Sequence, residues 1–466
     1  MTATTQLAAI EAFAKDYPAI NYIPPSATEF AATREVWNSS RRDNPLAILQ
    51  PQSPSDVAAI IKFARSSSLP FTLRSGGHNL EGLALVQDAL LIDLRALTSV
   101  TVAENRKSAT VGGGILQGEL VNKLWDEGVA TPTGTIPSIG YVGWASYGGY
   151  GPFSSHWGLG ADQIIGATLV NPDGEIVKAD EALLEGIRGA GGLFGVILDL
   201  TIKAYPITSI LAGPIIFDSS DLVKSFTDFN TAYNHLLDTE DIPPPLTLQR
   251  VVFNSPHGLV FAALFAWSSA DHAEGQRWSA KIAALGPAQM NLVAPTTIPA
   301  WLAGAGAIVP NAVHGSAWTH SVSRITPALA TTIARNLAAL PADPGAMFSL
   351  HQLRGASARP QANGSVFGAR EPHFMLELLG FAVAPEKQAE SEAWAARMAA
   401  EVEAVEPGNL LPTAYVSLFN SARAGPAAAW VDKVYGEKAG VVRALKARFD
   451  PESVFKLTVP ALGDLV

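Results

Sequence analysis

No cysteine occurs among the 466 residues. Disulfides, thiolate nucleophiles, zinc–sulfur sites and iron–sulfur clusters are therefore excluded together, and redox chemistry would need a bound cofactor. Charge is sparse as well. Charged residues make up 16% of the chain, the formal net charge is −10, and no basic cluster is longer than Arg41-Arg42, so a surface for nucleic acid is not expected. No stretch approaches ~18 uninterrupted apolar residues, and no membrane span is expected. The opening residues Met1-Thr2-Ala3-Thr4-Thr5 lack a basic run, and the apolar residues behind them are broken by Glu11, Lys15 and Asp16. That pattern reads as an intracellular, cytoplasmic chain without a signal peptide. In such a chain the sequons Asn38-Ser39-Ser40 and Asn363-Gly364-Ser365 read as chance matches. His156, His320, His351 and His373 lack the spacing of metal ligands, and no metal is expected.

What the chain has instead is apolar content, 48% of residues, enough to bury the cores of two or three domains. Leu46 to Leu49 read as a buried strand. Ser53-Pro54-Ser55-Asp56 then opens a helix, with an N-cap serine, proline at N1 and an acid at N3; Val57, Ile60, Ile61 and Ala64 form its apolar face. Strands are predicted at 71–74 and 88–94, a hairpin over 98–112 turning at 103–107, and a helix over 115–127. Between 131 and 160, glycines alternate with Tyr141, Trp144, Tyr147, Tyr150, Phe153 and Trp157. This reads as an ordered segment without regular structure that wraps an elongated cofactor, because a long buried loop needs partners for its backbone. Strands return at 164–170 and 175–179, around Asn171-Pro172-Asp173-Gly174, and over Val196 to Ile202. Beyond Pro206, helices near 220–237, 271–285, 327–340 and 386–404 are interspersed with strands near 247–253, 258–267, 346–354 and 373–382. They read as a second, α+β domain built on an antiparallel sheet.

The stretch Arg74-Ser75-Gly76-Gly77-His78-Asn79 follows an apolar strand. Its paired glycines permit positive φ and close approach to a ligand, while Arg74 and free N–H groups favour a phosphate beside the imidazole. A tight turn with a solvated histidine is the plainer reading. A nicotinamide site fits worse: after Gly112-Gly113-Gly114 the sixth place of GxGxxG is Gln117, and Gly189-Ala190-Gly191 is also misspaced.

Further motifs follow in order: Pro51 to Val57, Pro137-Ser138-Ile139-Gly140, Gly148-Gly149-Tyr150-Gly151, Gly158-Leu159 with Asp162, Arg188 through Gly195-Val196, Tyr435-Gly436 and Asp450 to Phe455. With the histidine stretch they resemble the flavoproteins of the vanillyl-alcohol oxidase type, in the berberine-bridge-enzyme-like branch, over nearly the whole chain. The resemblance implies an α+β fold with a PCMH-type FAD-binding domain (1–207), a substrate domain on an antiparallel sheet with flanking helices (208–410), and a C-terminal segment (411–466) returning to the first. It implies FAD held by Arg74, Ser75, Gly76, Gly77, His78, Asn79, Pro137, Ser138, Ile139, Gly140, Gly143, Gly148, Gly149, Tyr150, Gly158, Leu159, Asp162, Gly195 and Val196, with His78 bonded to the flavin 8α-methyl carbon. Imidazole is a competent nucleophile near neutral pH. A cysteine that adds a second bond in many relatives is replaced by Ile136, leaving only the histidyl link.

Other departures concern activity. Leu418 falls where plant relatives carry a tyrosine base, and Ile139 falls where oxygen access is controlled. Tyr415 and Gln352 are the candidate catalytic residues, Gln352 standing where some relatives have a glutamate; Gln352 and Arg354 share one strand face as a candidate substrate floor. Glu371 and Glu377 are further possible bases, though such glutamates are usually solvated. The expected activity is hydride transfer from a small, aromatic or secondary-metabolite substrate to flavin, with O2 as acceptor. A flavin-bound non-redox cyclase or isomerase, or an oligosaccharide or alcohol dehydrogenase, is the alternative.

Overall fold

The computed structural model describes residues 2–359, 364–420 and 427–458. Four strands form the first sheet: β1 (Asn21–Ile23), β2 (Ala47–Gln50), β3 (Phe71–Arg74) and β4 (Leu90–Asp93). β1 runs antiparallel to β2, whereas β2 and β3 flank β4 in parallel. The helix Pro54–Ser66 connects β2 to β3. Ser53 Oγ accepts the Asp56 N–H, Pro54 occupies the first turn, and Val57, Ile60, Ile61 and Ala64 are buried, as the pattern predicts.

A second sheet contains β5 (Val100–Val102), β6 (Ser108–Gly112), β7 (Ile164–Val170), β8 (Ile176–Lys178) and β9 (Val196–Lys203), ordered β5-β6-β9-β7-β8 and antiparallel throughout. Asn171 Oδ1 accepts the N–H groups of Asp173 and Glu175, which closes the β7–β8 turn. Under this sheet, Leu120, Ile187, Leu200 and Ile202 pack with Trp430, Val434, Tyr435 and Val442 from the far end of the sequence. Residues 450–455 are anchored by Asp450, which is fully buried, pairs with Lys446 Nζ at 2.5 Å and accepts the N–H groups of Val454 and Phe455. Phe455 thereby meets Phe71 edge-on in the core of the first sheet.

The largest sheet has eight strands: β10 (Ile210–Phe217), β11 (Leu246–Ser255), β12 (Gly258–Trp267), β13 (Ala288–Asn291), β14 (Ala294–Thr296), β15 (His314–Val322), β16 (Ala346–Leu353) and β17 (His373–Ala382). Its order is β13-β10-β12-β11-β16-β17-β15, with β14 also on β10, all antiparallel. One face is covered by the helices Leu222–Thr239, His272–Ala283, Pro327–Ala338 and Gln388–Val405. Because side chains alternate along a strand, Ala346, Phe348 and Leu350 join that core, and Met347, Ser349 and His351 point to the opposite face.

The glycine-rich stretch departs from expectation. It holds short helices at Tyr141–Ser146 and Ser154–Trp157, with another at Gly160–Gln163 directly after. Each is a single turn or little more, too short to leave a periodic signature. The sequence reading also passed over β10, β13, β14 and β15 and the helices Ala3–Asp16, Glu181–Ala190 and Ile298–Gly306. In the sequons, Asn38 is buried and its Nδ2 donates to the carbonyls of Leu80 and Gly315, while Asn363 lies outside the described residues.

Candidate functional site

A cleft of about 420 Å³ runs between the glycine-rich loops and the uncovered face of the largest sheet. On the loop side it is lined by residues 74 to 79 and by Ile136, Ile139, Gly140, Gly143, Trp144, Tyr147, Tyr150, Gly192 and Gly195. The 74–79 turn and the 137–140 loop meet backbone to backbone: a Cβ on Gly76 would fall 2.3 Å from Gly140 N and 2.6 Å from Ser138 O. Gly77 has φ +70°, a conformation glycine adopts without strain.

These loops fit a flat cofactor that carries phosphates. Among the described residues no protein acceptor faces the N–H groups of Gly76, Gly77 or His78. Ser75 Oγ is buried without a partner. A Cβ on Gly143 or Gly192 would meet nothing within 4 Å, so a planar ring can lie against both. His78 borders the cleft with its pKa lowered to about 4, first by burial and then by the positive charge of Arg95, so the imidazole is neutral and nucleophilic at physiological pH.

Several expected ligands are placed differently. Arg74 Nη2 pairs with Asp93 at 2.6 Å, and its Nη1 donates to the carbonyls of Thr33 and Glu35. That buried guanidinium braces the underside of the turn instead of standing free for a phosphate. Asp162 is held by Arg370 at 2.7 and 3.0 Å and accepts the Leu159 N–H, a buried ion pair outside the lining of the cleft. Pro137, Ser138, Gly148, Gly149, Gly158, Leu159 and Val196 lie behind the lining and shape it through their neighbours. Tyr141 is likewise fully buried, whereas Trp144 and Tyr147 face the cleft.

Gln352 is a correction of phase. Its Oε1 accepts the phenol of Tyr233, on the helix-covered side, and Arg354 donates to the carbonyls of Ile242, Pro243 and Leu246 on that side too. The cleft floor is formed by the other phase: Gln249, Val251 and Phe253 on β11, Leu264 on β12, Met347, Ser349 and His351 on β16, Glu377 and Leu379 on β17. Glu377 Oε2 lies 3.2 Å from His351 Nε2, and Gln249 Nε2 reaches Ser349 Oγ at 2.8 Å and His351 Nε2 at 3.2 Å. Burial alone would raise the Glu377 carboxyl, but the charge and hydrogen bond of His351 and the hydroxyl of Ser349 outweigh it and hold the group below its ordinary value. Sequence reasoning named Glu377 and missed Gln249, Ser349 and His351 as its partners; the alternation of β16 was the available signal.

Two phenols face this floor. Tyr415 Oη accepts the Gly149 N–H at 3.3 Å, its ring sits 4.7 Å from that of Tyr150, and burial pushes its pKa up to about 12. Tyr150 Oη lies 2.8 Å from His373 Nε2, while His373 Nδ1 is 2.6 Å from the Glu371 carbonyl. Nδ1 must carry the proton toward that carbonyl, so Nε2 accepts and the Tyr150 phenol donates. Leu418 lines the cleft where a second tyrosine was absent from the sequence.

A family profile described as an FAD binding domain matches residues 45–180. Over 436 residues the chain is 31% identical to the FAD-linked oxidoreductase aurO of Gibberella zeae, covering 92% of this chain and 83% of that one. Its fold is similar to that of 6-hydroxy-D-nicotine oxidase from Arthrobacter nicotinovorans, with a TM-score of 0.79 at 24% identity over 94% and 96% of the two chains. Berberine bridge enzyme from Eschscholzia californica gives a TM-score of 0.80 at 18% identity over 97% and 99%. With the histidine turn, the glycine cradle and the sheet floor arranged around one cleft, the chain belongs to the FAD-linked oxidoreductases, in the fold that 6-hydroxy-D-nicotine oxidase and berberine bridge enzyme share.

Proposed function

We propose that this FAD-dependent oxidoreductase is an oxidase of an apolar, aromatic small molecule, with flavin bonded covalently to His78 and O2 as the final acceptor. The observation that carries this reading is the group Gln249, Ser349, His351 and Glu377 set in a floor otherwise made of Val251, Phe253, Leu264, Met347 and Leu379. A flat substrate with one polar hydrogen suits such a floor. An oligosaccharide would need hydrogen-bond partners along its whole length.

Bound FAD supplies the hydride-accepting ring. The chain supplies position and a place for the proton. Glu377, ionised at neutral pH, takes the proton from the substrate's O–H or N–H, and His351 shares the resulting change of charge. Tyr150 spends its proton on His373 and acts as a fixed wall, while Tyr415 keeps its proton and is the phenol that can donate a hydrogen bond. On this reading Glu377 supplies the base that is missing at Leu418.

The test is the visible spectrum of purified wild type and His78→Ala before and after acid precipitation, followed by anaerobic addition of phenolic and heteroaromatic candidates. Yellow pellets from wild type alone, bleaching by substrate and recovery of colour with O2 support the reading. Yellow pellets from His78→Ala, or turnover without bleaching, overturn it.

A further inference from the structure

The imidazole of His78 makes no hydrogen bond to protein among the described residues; what orients it is one aromatic neighbour. The indole of Trp37 lies 5.6 Å from it at an interplanar angle of 22°. Trp37 is itself fixed from both sides of the cleft. Its N–H donates to the Gly77 carbonyl at 3.1 Å, its carbonyl accepts the Val313 N–H at 3.1 Å, and its Nε1 donates to the Pro310 carbonyl at 2.8 Å. The far edge of the ring meets Phe381 at 5.1 Å and 72°. Neighbouring Asn38 and Ser39 continue the join, to Leu80 and Gly315 and to Val313. One short segment thus grips the histidine turn and the entry to β15 together.

We propose that Trp37 is the positioning residue for flavin attachment at His78, its ring setting the plane from which the imidazole nitrogen meets the 8α-carbon. The proposal rests on the His78 reading given above. Attachment forms one C–N bond and breaks one C–H bond at the 8α-carbon and the imidazole N–H bond. Both hydrogens and the electron pair pass to the isoalloxazine, which is left reduced, and O2 reoxidises it to the resting state with release of hydrogen peroxide. The rate of such a step depends on a near-attack geometry. An imidazole with no hydrogen bond keeps rotational freedom unless a ring packs against it, and burial in the neutral form leaves it ready to react. Pro310 borders the same cleft, so the tryptophan also ties the orientation of the histidine to the cleft wall on that side.

The experiment uses the full chain expressed under riboflavin limitation and then supplied with FAD. Flavin that survives denaturing electrophoresis is followed over time and normalised to the FAD bound before denaturation. Trp37→Leu and Trp37→Met keep bulk without an aromatic face, so a folding failure in one leaves the other. Both are expected to attach flavin about tenfold more slowly than wild type at equal bound FAD, and Trp37→Phe, which keeps a ring and loses Nε1, is expected to restore most of the rate. Leucine and methionine variants that attach at the wild-type rate overturn the proposal, as does a phenylalanine variant as slow as they are. A wild-type chain that never attaches flavin overturns the His78 reading, and this inference with it; failure of the Trp37 proposal alone leaves wild-type attachment intact.

Discussion

Glu377 stands directly across the β16–β17 pair from Ser349 and diagonally from His351, with its carboxylate 3.2 Å from the imidazole. This places one ionised acid, held below its ordinary pKa, at the centre of an apolar floor. Glu377→Gln preserves shape and removes the proposed proton acceptor, so turnover is expected to fall about 10²–10⁴-fold with flavin content unchanged. Stopped-flow bleaching of the bound flavin measures it. Gln352→Ala is the contrasting variant, since Gln352 bonds Tyr233 behind the sheet: stability falls by about 1–3 kcal/mol while bleaching stays within a few-fold of wild type.

The open space beside Gly143 gives a prediction about cofactor binding. Gly143→Val puts a branched side chain where nothing of the protein lies within 4 Å. The variant is expected to be colourless and to gain no colour from added FAD, with an unchanged melting temperature for the cofactor-free chain. A yellow Gly143→Val protein would show that the ring lies elsewhere.

Tyr415 is expected to contribute little as a base. With its pKa pushed up to about 12 by burial, the phenol remains protonated across the working range, and Tyr415→Phe is expected to slow turnover less than about tenfold. The pH–rate profile of wild type and variant should share the same alkaline limb. A limb lost only in the variant would return the tyrosine to the proton path.

The Asp162–Arg370 pair spans 208 positions and is buried on the carboxylate side. Arg370→Met strands that carboxylate, at a cost of about 3–5 kcal/mol in denaturant unfolding. Asp162→Asn should cost less, because Leu159 keeps an acceptor for its N–H.

Acid sensitivity follows from His373, whose pKa is lowered to about 4 by burial. The unfolded chain takes up that proton near 6.5, the folded chain only near 4, so the stability tied to the neutral ring is complete above 6.5 and is lost as pH falls between the two. His78 has the same sign. Thermal melts from pH 7 to 4.5 should show a steep decline, shallower in His373→Gln.

Local signals were legible in the sequence wherever one residue type does one job within a few positions. The Ser53 cap, the Asn171 turn and the glycine pair before His78 all fall in this class. Long-range pairing was not. Arg74 and Asp162 invite a ligand when read alone, and only the fold brings Asp93 and Arg370 to them. The phase of β16 is hidden for a related reason: the resemblance places Gln352 in the cleft, whereas Ala346, Phe348 and Leu350 already mark the even positions as the buried set. Met290 and Leu292, half exposed at the sheet edge, explain why the strands there left no clean alternation.

The seat of Phe455 in the core of the first sheet, fixed through Asp450, has a consequence for biosynthesis. A ribosome that has released the first two hundred residues has released a sheet that still lacks a core side chain and a second sheet that still lacks the packing of Trp430, Val434 and Val442. The glycine-rich cradle therefore gains its full support only after residue 455 has been synthesised, long after the strands it rests on.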